Sequence, residues 1–121
     1  MAITMQRADG TIIYSLGNEK VLTATFESNE KINLKIDGAI KTLVAPCFEE
    51  VIKEAISLDK DLIIDLSNVT YIASAGLRVL LDMQQEIDEN ESPDVVIVNI
   101  QDPIKEVFEQ TGFINILNIQ E

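Results

Sequence analysis

Apolar and polar positions change period several times along this chain, and each change marks an element. Ile32, Leu34 and Ile36 alternate with Asn33, Lys35 and Asp37, the two-residue period of a half-buried strand. Upstream, residues 11–16 and 21–26 are β-rich, and Gly17-Asn18 supplies a turn, so the pair predicts a hairpin whose turn Glu19 and Lys20 lengthen. Residues 1–10 show no pattern and read as a short arm. From Pro46 the spacing becomes three and four. Phe48, Val51, Ile52 and Ala55 then form one helical face, with Pro46 in a first turn where a missing N–H costs nothing. Residues 57–60 end that helix. Residues 61–66 hold four apolar positions in six, short enough for a buried strand.

Leu77, Leu80, Leu81 and Ile87 fall on one helical face, which Val79 and Met83 widen. This predicts a helix over 77–87 with Leu80 and Leu81 buried. The acidic stretch 88–93 ends in Pro93 and forces a turn. Residues 95–100 are largely β-branched and predict a strand covered on both faces. Asp102 then reads as the cap of a helix with Pro103 at its first position. Ile104, Val107 and Phe108 bury one side, and Gly112 is placed to end it in the left-handed conformation. Phe113, Ile114, Ile116, Leu117 and Ile119 predict a last strand.

Strand and helix patterns alternate through the second two thirds of the chain. That order calls for right-handed crossovers and an α/β layered domain: a mostly parallel central sheet, helices packed against it, and N-terminal strands at an edge. A length of 121 residues predicts one domain, with residues 1–30 as an extension with edge strands and 31–121 as the core. The hydrophobic content of 46% argues against disorder.

Charge narrows the choice of partners. Nine Lys and Arg stand against 21 Asp and Glu, a formal charge of -12. Nucleic acid is disfavoured, because its phosphates attract basic surfaces. A partner with a basic face suits the chain, and the same charge also keeps a small protein soluble. Cys47 is alone, so no internal disulfide can form, and beside Phe48 it reads as a small buried thiol. Residues 1–10 lack the apolar core of a signal peptide, and no run approaches the roughly 20 residues of a membrane helix. A cytoplasmic protein without a membrane partner is the expectation.

The chemistry on offer is sparse. Without histidine there is neither a Ser-His-Asp triad nor a histidine metal site, and one cysteine makes no zinc cluster. No phosphate-binding loop or dinucleotide fingerprint appears. The chain reads as a binding partner and not as an enzyme. Its most informative stretch is Tyr71-Ile72-Ala73-Ser74-Ala75-Gly76-Leu77. A short loop delivers Ser74 to a helix start, where serine is a favoured N-cap. The same place suits a phosphate, since free N–H groups and the helix dipole both favour negative charge. Position alone favours the cap.

Three stretches add a resemblance. Ile36-Asp37-Gly38-Ala39-Ile40 followed by Ala45-Pro46, the run from Asp65 to Leu77, and the run from Asp102 to Phe113 are similar to the STAS domain of bacterial anti-sigma factor antagonists. The resemblance extends from Lys31 to the C-terminus and leaves the first strands outside it. In that family a serine kinase phosphorylates a serine in an Asp-Ser-(Ser/Thr)-Gly motif. By position the acceptor is Ser74 and the glycine is Gly76. Ala73 stands where the family often has aspartate, and Ala75 replaces the second hydroxyl residue.

The resemblance implies an anti-sigma factor antagonist. It would bind an anti-sigma serine kinase through an exposed surface at Ala73, Ser74, Ala75, Gly76, Arg78 and Asp82, and phosphorylation on Ser74 would switch it off. It implies no cofactor of its own, since ATP and Mg²⁺ belong to the kinase. It also implies a serine phosphatase as a further partner and a monomer when free. Two other classes stay open. One is a constitutive STAS scaffold in a larger complex, which the absence of an acid at Ala73 favours. The other is an aspartyl-phosphate receiver using Asp65, although no early acidic pair accompanies it.

Overall fold

The computed structural model of the chain describes residues 2–120. Among these, seven strands join in one sheet whose order follows the chain: β1 (Ile3–Ala8), β2 (Thr11–Leu16), β3 (Glu19–Ser28), β4 (Ile32–Ile40), β5 (Leu62–Ile72), β6 (Val95–Val98) and β7 (Ile119–Gln120). The expected hairpin is β2 and β3, but its turn is not lengthened: Leu16 pairs with Glu19 and Ser15 with Lys20, which leaves Gly17-Asn18 as a two-residue turn. Residues 1–10 are not an unpatterned arm, because Ile3–Ala8 pairs antiparallel with β2 along its whole length; Met1 lies outside the described residues. The strand escaped the sequence pattern because it is an exposed edge, with most of its side chains in solvent. With β1 included, β1 to β4 pair antiparallel and β4 to β7 parallel. The sheet is therefore evenly mixed, not mostly parallel.

Three helices connect the parallel strands: α1 (Ala45–Ser57), α2 (Ser74–Asn90) and α3 (Asp102–Thr111). The order β4 to β7 never reverses, so right-handed crossovers place all three helices on one face. Burial alternates accordingly. Ile32, Leu34, Ile36, Leu62, Ile64, Leu66, Val95 and Ile97 are buried under the helices, while Asn33 and Lys35 are exposed. Val96 and Val98 are only half-buried, so β6 is covered on one face, not two. Its β-branched run fits a pleated, half-buried surface as well as one covered on both faces.

On the helical side, α1 buries Phe48, Val51, Ile52 and Ala55 as its spacing predicts. α2 buries Leu77, Val79, Leu80, Met83 and Ile87. Leu81 is half-exposed, contrary to expectation. The stripe centres on Leu80, Met83 and Ile87, and one residue further turns the side chain away by about 100°. β1 is clipped to the helical layer by Arg7, whose guanidinium donates twice to Glu54 of α1, at 2.9 and 2.6 Å. The Tyr14 phenol lies near this clip, and its pKa is pushed up to about 12, first by burial and then by the neighbouring Glu50 charge. Cys47 is buried, and burial raises its thiol pKa as well.

The C-terminal third departs twice from expectation. Gln101, not Asp102, holds the N-cap position of α3: it is extended, and its carbonyl accepts the Ile104 and Lys105 N–H groups. Its own side chain donates to the Ser67 carbonyl at 2.7 Å and so fastens the helix start to β5. Gly112 ends α3 in the left-handed region, as read from the sequence. The apolar run after it is not one strand. It folds into a 3-10 turn (Phe113–Asn115), whose Phe113 carbonyl accepts from Ile116 and Leu117, and only then enters the two-residue β7. Among the described residues, no helix is long and apolar enough to cross a membrane.

Candidate functional site

The site is set by the end of β5, which is longer than its partner. Lys35 of β4 faces Asp65, but Asp37 faces Asn68; Gly38 faces Val69, but Ala39 faces Tyr71. Each step inserts an extra residue into β5, and such bulges bend a strand and re-aim its side chains. The burial phase shifts with them, from Leu62, Ile64 and Leu66 to Val69 and Ile72. Opposite the second bulge, Gly38 has φ +133, and a Cβ there would lie 2.8 Å from the Val21 carbonyl oxygen. Only glycine fits that approach of backbone to backbone.

β5 then hands over to α2 without a loop. The Ala73 N–H donates to the Ile40 carbonyl at 2.8 Å, which ties the handover to the end of β4. Ala73 is the N-cap residue: it is extended, and its carbonyl accepts from Gly76 and Leu77 at 2.9 and 3.0 Å. Ser74 is therefore the first helical residue and not the cap. Its side chain is exposed, and the helix has no side-chain cap and no acid in its first turn. The hydroxyl is left facing solvent at the positive end of a 17-residue helix.

Of the six residues expected to form the partner surface, four are open to it and two are not. Ser74, Arg78 and Asp82 are exposed and follow one another at intervals of four, a single stripe along α2. The Arg78 Nε donates to Asp82 Oδ1 at 3.1 Å. Ala75 is half-buried at a shallow depression of about 210 Å³ shared with Thr42, Ala45, Pro46, Glu49 and Val79. Ala73 and Gly76, by contrast, are buried. A Cβ on Gly76 would lie 2.8 Å from Ile40 Cγ2 and 2.9 Å from Ile72 Cγ1. Gly76 thus lets α2 settle onto β4 and β5, and the space that its missing side chain leaves is filled from below.

The sequence pattern gave no hint of the turn at residues 41–44, which the fold brings to the same place. Thr42 shares the depression with Ala75, and Val44 folds back by donating to the Lys41 carbonyl at 2.9 Å. The only sequence signal was Pro46 opening the next helix.

Asp65 sits apart, on the helix-free face. Burial pushes its carboxyl up, but hydrogen bonds from Ser67 and Asn99 outweigh that and hold it below the ordinary carboxylate value. Its oxygens accept from the Ser67 N–H at 2.8 Å and from Asn99 at 3.3 Å. A receiver would need an acid cluster around Mg²⁺ here, and among the described residues no three His, Cys, Asp or Glu side chains come together to hold a metal.

Comparison with known proteins gives the family and the fold. The chain matches the STAS domain family over residues 2–121, so the three N-terminal strands fall inside the match and not, as the resemblance from Lys31 implied, outside it. BtrV of Bordetella bronchiseptica, named as a candidate anti-sigma factor antagonist, is 25% identical over 98% of this chain and 85% of its own. The crystal structure of an anti-sigma factor antagonist from Mycobacterium paratuberculosis superposes with a TM-score of 0.73 at 21% identity, covering 81% of this chain and 84% of that one. The antagonist SpoIIAA superposes over 81% of this chain in two forms. The unphosphorylated form gives a TM-score of 0.63 at 16% identity over 88% of its length. The phosphorylated form, from Bacillus, gives 0.58 at 15% over 91%.

Proposed function

The chain belongs to the STAS domain family, and from that membership we propose that it is an anti-sigma factor antagonist switched by phosphorylation of Ser74. One observation carries the reading: an exposed serine hydroxyl without a cap bond, at the first position of α2, on the segment that resembles the family's phosphorylation motif at Ser74 and Gly76. That a named neighbour exists in phosphorylated and unphosphorylated forms supports it.

In this reading unmodified Ser74 lies within the surface that grips an anti-sigma serine kinase and so releases the sigma factor. The kinase holds ATP and Mg²⁺. The Ser74 Oγ attacks the γ-phosphorus, the bond to the bridging oxygen of ADP breaks, and the hydroxyl proton leaves to a base on the kinase. Ser74 gains about −1.5 to −2 charge. The start of α2 tolerates that charge, since its first N–H groups and dipole favour an anion. The fold survives while the interface changes. Burying a dianion against the kinase, beside any acid there, weakens the complex. A serine phosphatase resets the switch by hydrolysing the phosphate ester.

A second reading has its own observation. Ala73 provides no carboxylate at the N-cap position, so a kinase that used one for orientation would find none, and the protein would be a constitutive scaffold.

Intact mass after incubation with the serine kinase of the source genome, ATP and Mg²⁺ separates the two. The switch predicts one added phosphate on the wild type, none on Ser74→Ala, and weak binding by a folded Ser74→Asp. Tight binding by Ser74→Asp together with labelling elsewhere, or none, replaces the switch with the scaffold.

A further inference from the structure

Large apolar side chains left in solvent are few among the described residues: Met5, Leu43, Leu58, Tyr71 and Ile116. Two of them lie at the Ser74 end of the sheet. Tyr71, 53% exposed, is three residues before Ser74 at the end of β5, and Leu43, 58% exposed, tops the turn after β4. The two strand ends are joined there by the pairing of Ala39 with Tyr71 and of Ile40 with Ile72, and by the Ala73–Ile40 hydrogen bond. Thr42, next to Leu43, borders the same depression as Ala75.

Charge is distributed in the same sense. The chain carries -12 overall, yet residues 38–48 and 66–81, which build this end, contain no Asp or Glu. They contain Lys41 and Arg78, both exposed. The nearest acids on the flanking helices are both paired: Glu49 of α1, which borders the depression with Thr42 and Ala75, lies 3.8 Å from Lys53, and Asp82 of α2 bonds Arg78. Asp102 opens α3. The two stretches without acids are also the ones that carry Leu43, Tyr71 and the exposed Ser74.

We infer that Leu43 and Tyr71 are the anchors of the kinase-binding surface and that Lys41 orients it, so that the partner face it fits is apolar with an acidic rim. This inference rests on the antagonist reading. It reverses the partner chemistry that net charge alone suggests, because docking responds to the patch that is buried and not to the sum over the molecule. It also explains why a phosphate here would disrupt binding: a dianion would be brought against the acids that match Lys41. A few side chains that enter well-packed pockets carry most of the energy of such interfaces, and tyrosine is enriched among them.

The test is titration calorimetry with the anti-sigma serine kinase of the source genome, at two salt concentrations. Leu43→Ala and Tyr71→Ala are expected to raise Kd by about tenfold or more each. Leu58→Ala and Ile116→Ala, exposed apolar residues at the far end of the sheet, serve as controls and should leave Kd within about twofold. Lys41→Glu should weaken binding, and added salt should weaken the wild-type complex more than the Lys41→Glu complex. All five positions are exposed, and thermal melts check that each variant folds. If the wild type binds but the anchor variants match the controls, the patch is misplaced and the antagonist reading stands. If the wild type neither binds nor acquires phosphate on Ser74, the antagonist reading falls and this inference falls with it.

Discussion

A methyl group at residue 76 would have to displace Ile40 Cγ2 and Ile72 Cγ1, both within 3 Å and both on the branched, stiff part of their side chains. Overpacking of that kind costs about 1–3 kcal/mol. Replacing a helical glycine returns up to about 1 kcal/mol in propensity. The net expectation for Gly76→Ala is a loss of roughly 1–2 kcal/mol in urea unfolding; wild-type stability would show that α2 can lift off the sheet at no cost. Gly76→Asp should therefore be judged by its folding before its binding. Leu80→Ala should cost about 2–5 kcal/mol, because Leu80 is fully buried. Leu81→Ala should cost distinctly less, since Leu81 is only partly buried. At this scale the sequence put Ser74 at the start of α2, because a small polar residue between an apolar strand and an apolar helix stands out, but as the cap and not as the first helical residue that it is. It could not rank the neighbours by exposure. Ala73, Ala75 and Gly76 are all small, and only the packing of Ile40 and Ile72 decides which of them face water.

The first turn of α2 has neither an acid nor a side-chain cap, although helix starts usually have one or the other. An aspartate at Ser74 would interact with the dipole there, for a gain of about 0.3–1 kcal/mol in low salt. Ser74→Asp should thus melt slightly above wild type even as it binds the kinase weakly. A drop in melting temperature would mean that the charge is not accommodated and that weak binding reports damage. Among the elements, the alternating and amphipathic ones were legible: the hairpin, β4, α1 and α2 lie where their periods put them. The misses have separate causes. β1 buries little and so leaves no pattern, and pairing along β2 alone makes it a strand. β5 reads as six residues because its two bulges break the alternation beyond Leu66, although the strand continues to Ile72. The run after Gly112 is apolar enough for a strand, but the Phe113 carbonyl captures Ile116 and Leu117 first.

For the molecule as a whole, the edge strand pairs with β2 and is clipped to α1 by the two-pronged Arg7–Glu54 ion pair, whose dependence on pH has a definite sign. The hydrogen bonds from Arg7 pull the Glu54 carboxyl below its ordinary value of 4.5. A lowered folded value means that the clip stabilises fully above pH 4.5 and fades as pH falls through the folded value. Arg7→Met should therefore lower the urea midpoint at pH 7, and the gap to wild type should narrow as pH falls below 4.5. A gap independent of pH would assign the effect to packing of the Arg7 stem. Hydrogen exchange along β1 should rise in the same variant. Beyond stability, the order of the sheet bears on how it is built. Every strand lies beside the one before it in the chain, from β1 to β7. A ribosome releases the chain in that same order, so each strand emerges next to an edge that is already waiting. No strand has to be inserted between two that have paired, and contacts between chain neighbours favour quick folding. The sheet can lengthen from one side as synthesis proceeds, with β4 in place to receive β5 before the segment carrying Ser74 has left the ribosome.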